Sequence, residues 1–449
     1  MLILRRLVVL CVVGVCCSAH AAGKPNLVVL LADDQRFDTI RALGNREIIT
    51  PNLDALVAGG TAFTRAYLMG GDQPAVCVPS RAMLFTGRTL FRAKDWPVGQ
   101  AMGETLQRAG YVTHGIGKWH NGAATYARQF SGGANVFFGG MGNQSAVRVQ
   151  DFDPDGKYPR TRERIGEKFS TELFTDSAVQ FLRDYRDEQP FFLYLAYTSP
   201  HDPRTAPAPF RARYDETTLT LPKNFQPAHP FDNGELKVRD ELLAPFPRTP
   251  EVIRTHIADY YAMITHLDAQ IGRVLAALKA TGRADNTIVV FAGDNGLAVG
   301  RHGLMGKQNL YDHSVHVPLV LRGPGVAKAK RTDAMVYLLD LFPTLCDLSG
   351  TPTPETVEGR SFAPVLAGRT NGARDSLFFA YRNFQRAVFD GRWKLIRYPQ
   401  VNRTQLFDLR RDPDELRDQS GDPSQTDRLQ TLNARLTKWH QELGDSLKL

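Results

Sequence analysis

Four short runs of this chain are apolar almost without interruption: Leu27–Ala32, Phe191–Tyr197, Thr287–Ala292 and Pro318–Leu321. Runs of this length that do not alternate are the pattern of strands buried on both faces, as in a parallel sheet. Between them the pattern turns helical, at Thr50–Leu56 ending in Gly59-Gly60, Met102–Ala109 ended by Gly110, Thr171–Asp187, and Pro250–Thr281 stopped by Gly282. Tyr111–Ile116 is a weaker strand, and Met335–Leu345 reads as a core helix continuing to Cys346. Strands alternating with helices predict an α/β fold, a large mostly parallel sheet flanked by helices.

From about Asp375 the pattern changes. Leu377–Tyr381, Ala387–Phe389, Trp393–Tyr398 and Gln405–Leu409 read as antiparallel strands with a turn at Asp390-Gly391, and a polar helix, Ser424–Leu443, follows. This predicts a smaller C-terminal α+β domain built on an antiparallel sheet. Two stretches carry little pattern: a Gly-rich segment, 121–159, expected to loop over a site, and a Pro-rich one, 203–250. The first residues combine Arg5-Arg6, an apolar run from Leu7 to Cys17 and an Ala19-His20-Ala21 end, the pattern of an export signal. The expected organisation is therefore a signal peptide at 1–22, a catalytic domain at 23–374 and the small domain at 375–449. The expected location is the periplasm or outside the cell, with no stable membrane anchor.

Charge narrows the partners. The formal net charge is +8, to which Arg5 and Arg6 contribute. A moderately basic chain suits an anionic substrate and is also compatible with no specific partner. No basic-aromatic interleaving or zinc spacing points to nucleic acid. Of five cysteines, Cys77 and Cys346 remain beyond the signal. Cys346 sits in the apolar Met335–Leu345 context and reads as a buried thiol rather than half of a bridge.

Each apolar strand is followed by polar residues: Asp33 and Asp34, Lys118 and His120, His201 and Asp202, Asp294 and Asn295. In open α/β sheets, ligands bind outside the carboxyl ends of the strands, so these clusters are expected on one rim. Asp33, Asp34, Asp294 and Asn295 are oxygen donors, the set preferred by hard cations such as Ca²⁺ or Mg²⁺. The ordinary alternatives are a helix cap for the Asp pair and a tight turn for Asp294-Asn295-Gly296.

A turn-rich run, Met69–Pro74, leads to Cys77-Val78-Pro79-Ser80-Arg81 and on to Leu84-Phe85-Thr86-Gly87-Arg88. Pro79 suits the first turn of a helix. Cys77 is then expected just before that helix, at the positive end of its dipole, with Arg81 one turn on, which makes an anion site. Cys-x-Pro-Ser-Arg followed by Leu-x-Thr-Gly-Arg resembles the signature of the type I sulfatases of the alkaline phosphatase superfamily. The resemblance extends roughly from Pro25 to Asp414 and takes in Gly117-Lys118-Trp119-His120, Ser199-Pro200-His201 and Gly303-Leu304-Met305-Gly306-Lys307.

That resemblance implies an alkaline phosphatase-like fold and conversion of Cys77 to formylglycine (3-oxoalanine) by a formylglycine-generating or anaerobic maturation enzyme. It implies Ca²⁺ rather than Mg²⁺, held by Asp33, Asp34, Asp294, Asn295 and the modified Cys77. It gives Lys118 and Lys307 to the sulfate oxygens, His120 to the formylglycine hydroxyl, His201 to the leaving alcohol and Arg81 to charge neutralisation. The chain departs from many relatives at Gly300-Arg301-His302-Gly303, where they carry Gly-Asp-His-Gly. Arg36, Asp202, Arg204 and His302 lie near these motifs and are candidates to contact a sulfated carbohydrate. The implied activity is sulfate ester hydrolysis. The rivals are a phosphonate or phosphate monoester hydrolase of the same superfamily, and a glycan-binding protein in which Cys77 stays a thiol.

Overall fold

The computed structural model describes residues 23–448. The expected signal peptide lies outside the described residues. Strand β1 (Asn26–Ala32) is the middle of a large sheet and is buried along its length. Its odd residues Leu27, Val29 and Leu31 enter one hydrophobic core, and Val28, Leu30 and Ala32 enter another. That is the period of two expected of a strand covered on both faces.

The other strands of the large sheet are β2 (Thr61–Tyr67), β4 (Val112–Lys118), β5 (Gly132–Phe137), β6 (Phe191–Ala196), β7 (Thr287–Gly293), β8 (His316–Arg322), β9 (Lys330–Thr332) and β10 (Val336–Tyr337). The order across this nine-stranded sheet is β9-β2-β8-β7-β1-β6-β4-β5, with β10 beside β2. The central strands β7, β1, β6 and β4 run parallel, so their carboxyl ends lie along one rim. Only β8 opposes its neighbours, being antiparallel to β2 and β7. It therefore starts at that same rim.

Helices α1 (Pro51–Gly59), α5 (Ser170–Asp184) and α6 (Pro250–Ala280) pack on one face of the sheet. On the other face lie α2 (Cys77–Thr86), α3 (Met102–Arg108) and α7 (Leu341–Ser349). Cys346 is buried within α7 and unbridged. A helix α4 (Ala123–Gln129) and strand β5 occupy part of 121–159, which was expected to be loops throughout. The residues expected to begin one helix at Met335 instead form β10 and a short 3₁₀ turn before α7 starts at Leu341.

The C-terminal unit has a five-stranded sheet ordered β14 (Arg403–Asp408), β13 (Trp393–Tyr398), β12 (Gln385–Phe389), β11 (Leu377–Tyr381) and β3 (Gly70–Gly71). The first three pairings are antiparallel. The fifth strand, β3, is parallel to β11 and comes from the segment leading to Cys77. Helix α8 (Thr426–Leu443) packs on this sheet through Leu432 and Leu436. No helix among the described residues is long and apolar enough to cross a membrane.

Candidate active site

Cys77 is the first residue of α2 rather than the residue before it. Val78 N–H donates to Ala75 O at 3.0 Å and Ser80 N–H to Val76 O at 3.1 Å, so the helix begins two residues before Pro79. Gly87, left-handed at φ 64°, ends the helix with its N–H on Met83 O. The Cys77 side chain thus lies at the helix dipole's positive end, and it is buried.

The four strand-end clusters meet around it. Cys77 Sγ is 3.2 Å from His120 Nδ1 and 3.6 Å from Lys118 Nζ. Lys118 Nζ also donates to Asp33 Oδ2 at 2.5 Å. Arg81 donates through Nε to Asp294 Oδ2 at 2.9 Å and through Nη1 to Lys118 O at 2.6 Å. Lys307 Nζ and Asn295 Nδ2 both donate to Asp34 Oδ1, at 2.5 and 2.7 Å. His201 Nε2 lies 3.6 Å from Asp34 Oδ2. Its Nδ1 is 2.9 Å from Asp202 O, so Nδ1 carries the hydrogen and Nε2 faces the acids. Asp34 and His120 both hold φ above +60°, a left-handed backbone that costs a non-glycine residue about 1–3 kcal/mol and clusters at functional sites.

Buried charge dominates the electrostatics. Burial pushes the Asp33 carboxyl up to about 8 against the pull of Lys118. Burial likewise raises Asp34 against Lys307. For Asp294, burial is outweighed by Arg81, Lys118 and Lys307, which hold the carboxyl down at about 2. Burial and the same three cations lower His120 to about 3, so its ring is neutral and able to accept a proton. Burial raises the Cys77 thiol against Lys118 and Lys307.

Three oxygens in this cluster, Asp33 Oδ1, Asp34 Oδ2 and Asn295 Oδ1, are buried without a hydrogen-bond partner. Buried polar atoms are nearly always satisfied, so three orphans in one cluster mark a place for something that binds oxygen. Ligand atoms of Asp33, Asp34 and His201 lie within 4.8 Å of one another, as do those of Asp33, Cys77 and Asp294. A hard cation fits this donor set.

A cavity of about 250 Å³ opens onto Cys77, His120, His201 and Lys307. Its outer wall holds Arg239, Asp240 and Gln308, none of them singled out by sequence. Arg239 pairs with Asp202 and Asp240, and Gln308 Nε2 bridges Asp240 Oδ2 and Pro74 O. Gly140 closes another side, where a Cβ would stand 2.6 Å from the His120 ring.

None of the four expected substrate contacts lines this cavity; Asp202 is the nearest to it, buried and paired with Arg239 of the wall. Arg36 is buried, paired with Asp38 and lying over the Tyr260 ring. Arg204 Nη1 is 3.1 Å from His256 Nδ1. His302 is buried, stacked on Tyr311 at 4.0 Å and bonded to Asn224. These three do not line the cavity. Proximity in sequence to a site residue did not carry them there: the turns at 34–39 and 300–303 point Arg36 and His302 into the core, and Arg204, partly exposed, is held by His256 instead.

A buried helix-terminal nucleophile position, lysines aimed at it and an oxygen-donor cluster, all on the carboxyl rim of a mostly parallel sheet, define a hydrolase for esters of tetrahedral oxyanions. A family model described as Sulfatase matches residues 25–351, and one described as N-sulphoglucosamine sulphohydrolase, C-terminal, matches 300–442. The chain belongs to the sulfatase family, type I, within the alkaline phosphatase superfamily, and is a sulfuric ester hydrolase. It is 27% identical to an arylsulfatase of Clostridium perfringens, over 92% of this chain and 94% of that one. It is 25% identical to an N-acetylglucosamine-6-O-sulfatase of Bacteroides thetaiotaomicron, over 88% of this chain and 82% of that one. A solved structure described in complex with its substrate D-glucosamine-2-N,6-O-disulfate superposes with a TM-score of 0.78 at 22% identity, covering 94% of this chain and 99% of that one.

Proposed function

We propose that the protein removes sulfate from an O-sulfated carbohydrate, using formylglycine made from Cys77 and a Ca²⁺ ion held by Asp33, Asp34, Asp294, Asn295 and the modified residue 77. The observation that carries this reading is the convergence of the orphaned oxygens of Asp33, Asp34 and Asn295 with Cys77 Sγ and two lysines. The carbohydrate class is supported by the N-acetylglucosamine-6-O-sulfatase relative and by the match to the family model described as N-sulphoglucosamine sulphohydrolase, C-terminal. In place, the aldehyde hydrate and the ion supply a two-hydroxyl nucleophile and two positive charges beside the sulfuryl group.

The chain's own residues do the rest. Three cations, Arg81, Lys118 and Lys307, face three carboxylates, Asp33, Asp34 and Asp294. Lys118 and Lys307 hold the sulfate oxygens, fixed in direction by their contacts to Asp33 and Asp34. Arg81 is locked by Asp294 and by Lys118 O, so it acts as a stationary charge. His120 takes a proton at Nδ1, the nitrogen that faces residue 77. His201 gives one from Nε2 to the departing alcohol, its ring oriented by Asp202. An arriving anionic ester favours the charged form of His201, opposing the burial and the lysines that lower its pKa.

The test is to express the chain with a maturation enzyme and measure the mass of the peptide carrying residue 77, alongside turnover of an aryl sulfate and an aryl phosphonate. An aldehyde mass, preference for the sulfate, and calcium-reversible loss of activity on chelation are expected. An unconverted thiol in active enzyme, or preference for the phosphonate, overturns the reading.

A further inference from the structure

A second cavity, of about 430 Å³, lies on the far side of His120 from the first. The two are separated by His120 and by the turn at 72–75, whose Pro74 and Ala75 line the catalytic cavity and whose Asp72 and Gln73 line the second. Its floor is apolar, formed by Val78 and Pro79 of α2 together with Trp96. The Trp96 indole is half-buried, held from behind by Trp119 at 5.6 Å and Phe85 at 6.3 Å. Its rim is polar, with Lys94 and Asp72 exposed and Asn121 and Gln73 partly so.

Size and chemistry argue together. Small-molecule sites span about 300–1,000 Å³, so the catalytic cavity at about 250 Å³ is small for anything beyond a sulfate group and the ring bearing it. The adjoining space is the larger of the two. A fixed aromatic plane suits the apolar face of a pyranose, amides suit its hydroxyls, and a lone exposed lysine suits a sulfate or carboxylate on it.

We propose that this second cavity is a saccharide subsite for the residue next to the one being desulfated, with Trp96 as stacking platform and Lys94 as the anion contact. The inference rests on the carbohydrate reading above and sharpens it: the substrate is a sulfated oligosaccharide, not a free monosaccharide.

The test compares kcat/KM of the matured enzyme on an aryl sulfate and on size series, monosaccharide to tetrasaccharide, of sulfated glucosamine, chondroitin and carrageenan type. One series is expected to show a rise with length of roughly tenfold or more, equivalent to about 1.4 kcal/mol of added binding. Lys94→Ala and Trp96→Leu are expected to bring the tetrasaccharide-to-monosaccharide ratio back toward one. Lys94 is exposed, so its replacement leaves the packing intact, and it decides the matter should Trp96→Leu lower the melting temperature. Saccharide turnover that does not change with length, or a length effect untouched by Lys94→Ala and Lys94→Glu, overturns the subsite and leaves the sulfatase reading standing. Turnover of the aryl sulfate but of none of the saccharides overturns the carbohydrate reading, and the subsite with it.

Discussion

Two buried clusters of charge in this molecule look alike and are built on opposite principles. At the rim of the large sheet, Asp33, Asp34 and Asp294 meet Arg81, Lys118 and Lys307. Where β13 of the small sheet meets the turn before β8, Lys394 donates to Asp312 Oδ1 at 2.8 Å and to Glu415 Oε1 at 2.9 Å. In the second cluster the carboxylate oxygens are all matched. Glu415 Oε2 accepts from Asp312 N–H, and Asp312 Oδ2 accepts from Tyr67 OH. None of its carboxylate oxygens is orphaned, whereas the rim leaves Asp33 Oδ1 and Asp34 Oδ2 unmatched. Burial of charge alone therefore does not distinguish a working site from a structural rivet. Unfilled valence directed at a shared point does.

The contrast is broken or sharpened by four measurements. Cys77→Ala is expected to abolish aryl sulfate turnover, by roughly 10⁴-fold or more, while the urea midpoint stays near that of the parent. A large loss of stability would make residue 77 structural. His201→Ala is expected to lose about 10²–10⁴-fold on an alkyl sulfate and much less on an activated aryl sulfate, whose leaving group needs no proton. Equal losses on both would remove His201 from that role. Lys394→Met should invert the pattern: it strands Asp312 and Glu415, costing about 3–5 kcal/mol in unfolding free energy, with turnover per folded molecule retained. Were the losses to fall on chemistry instead, the two clusters would not be separate devices.

The smallest effect is on pH. Burial lowers His229 to about 4 and His302 to about 3, and both rings stay neutral in the fold well below the unfolded value near 6.5. Between about pH 6.5 and 4 the unfolded chain binds more protons than the folded one, so stability falls as pH falls. Each such histidine adds a slope of up to about 1.4 kcal/mol per pH unit. His302→Asn should flatten the slope measured by urea unfolding across that window, and an unchanged slope would show that the ring is not held neutral.

How much of this was legible in the residues depended on range. The strands β1, β6 and β7 and their trailing polar pairs were readable because each is a local, uninterrupted apolar run meeting a charge. Strand β2 was not readable: Thr61–Tyr67 carries exposed Thr64 and partly exposed Arg65 and lacks the continuous apolar signal. Strand β5 was hidden by Gly132 and Gly133, and helix α4 by its length of only 7 residues. Gly133 is required there, because a Cβ would stand 2.2 Å from the Tyr126 hydroxyl. Arg239 and Asp240 reach the site from a Pro-rich segment with no periodicity, and only the fold brings Arg239 to Asp202, 37 residues away. Conversely Arg36 and His302 sat beside site residues in sequence and turned inward in space.

The short strand β3 places a clock on the protein's assembly. Cys77 has 1% of its surface exposed, and the segment that delivers it is held by β11, more than 300 residues downstream. With Ala380 and Tyr381 paired to Gly70 and Gly71, the segment leading to residue 77 is tied into the small sheet. If Cys77 is converted as proposed, an enzyme that needs this segment extended would have to act while the chain from Leu377 onward is still unmade or unpaired.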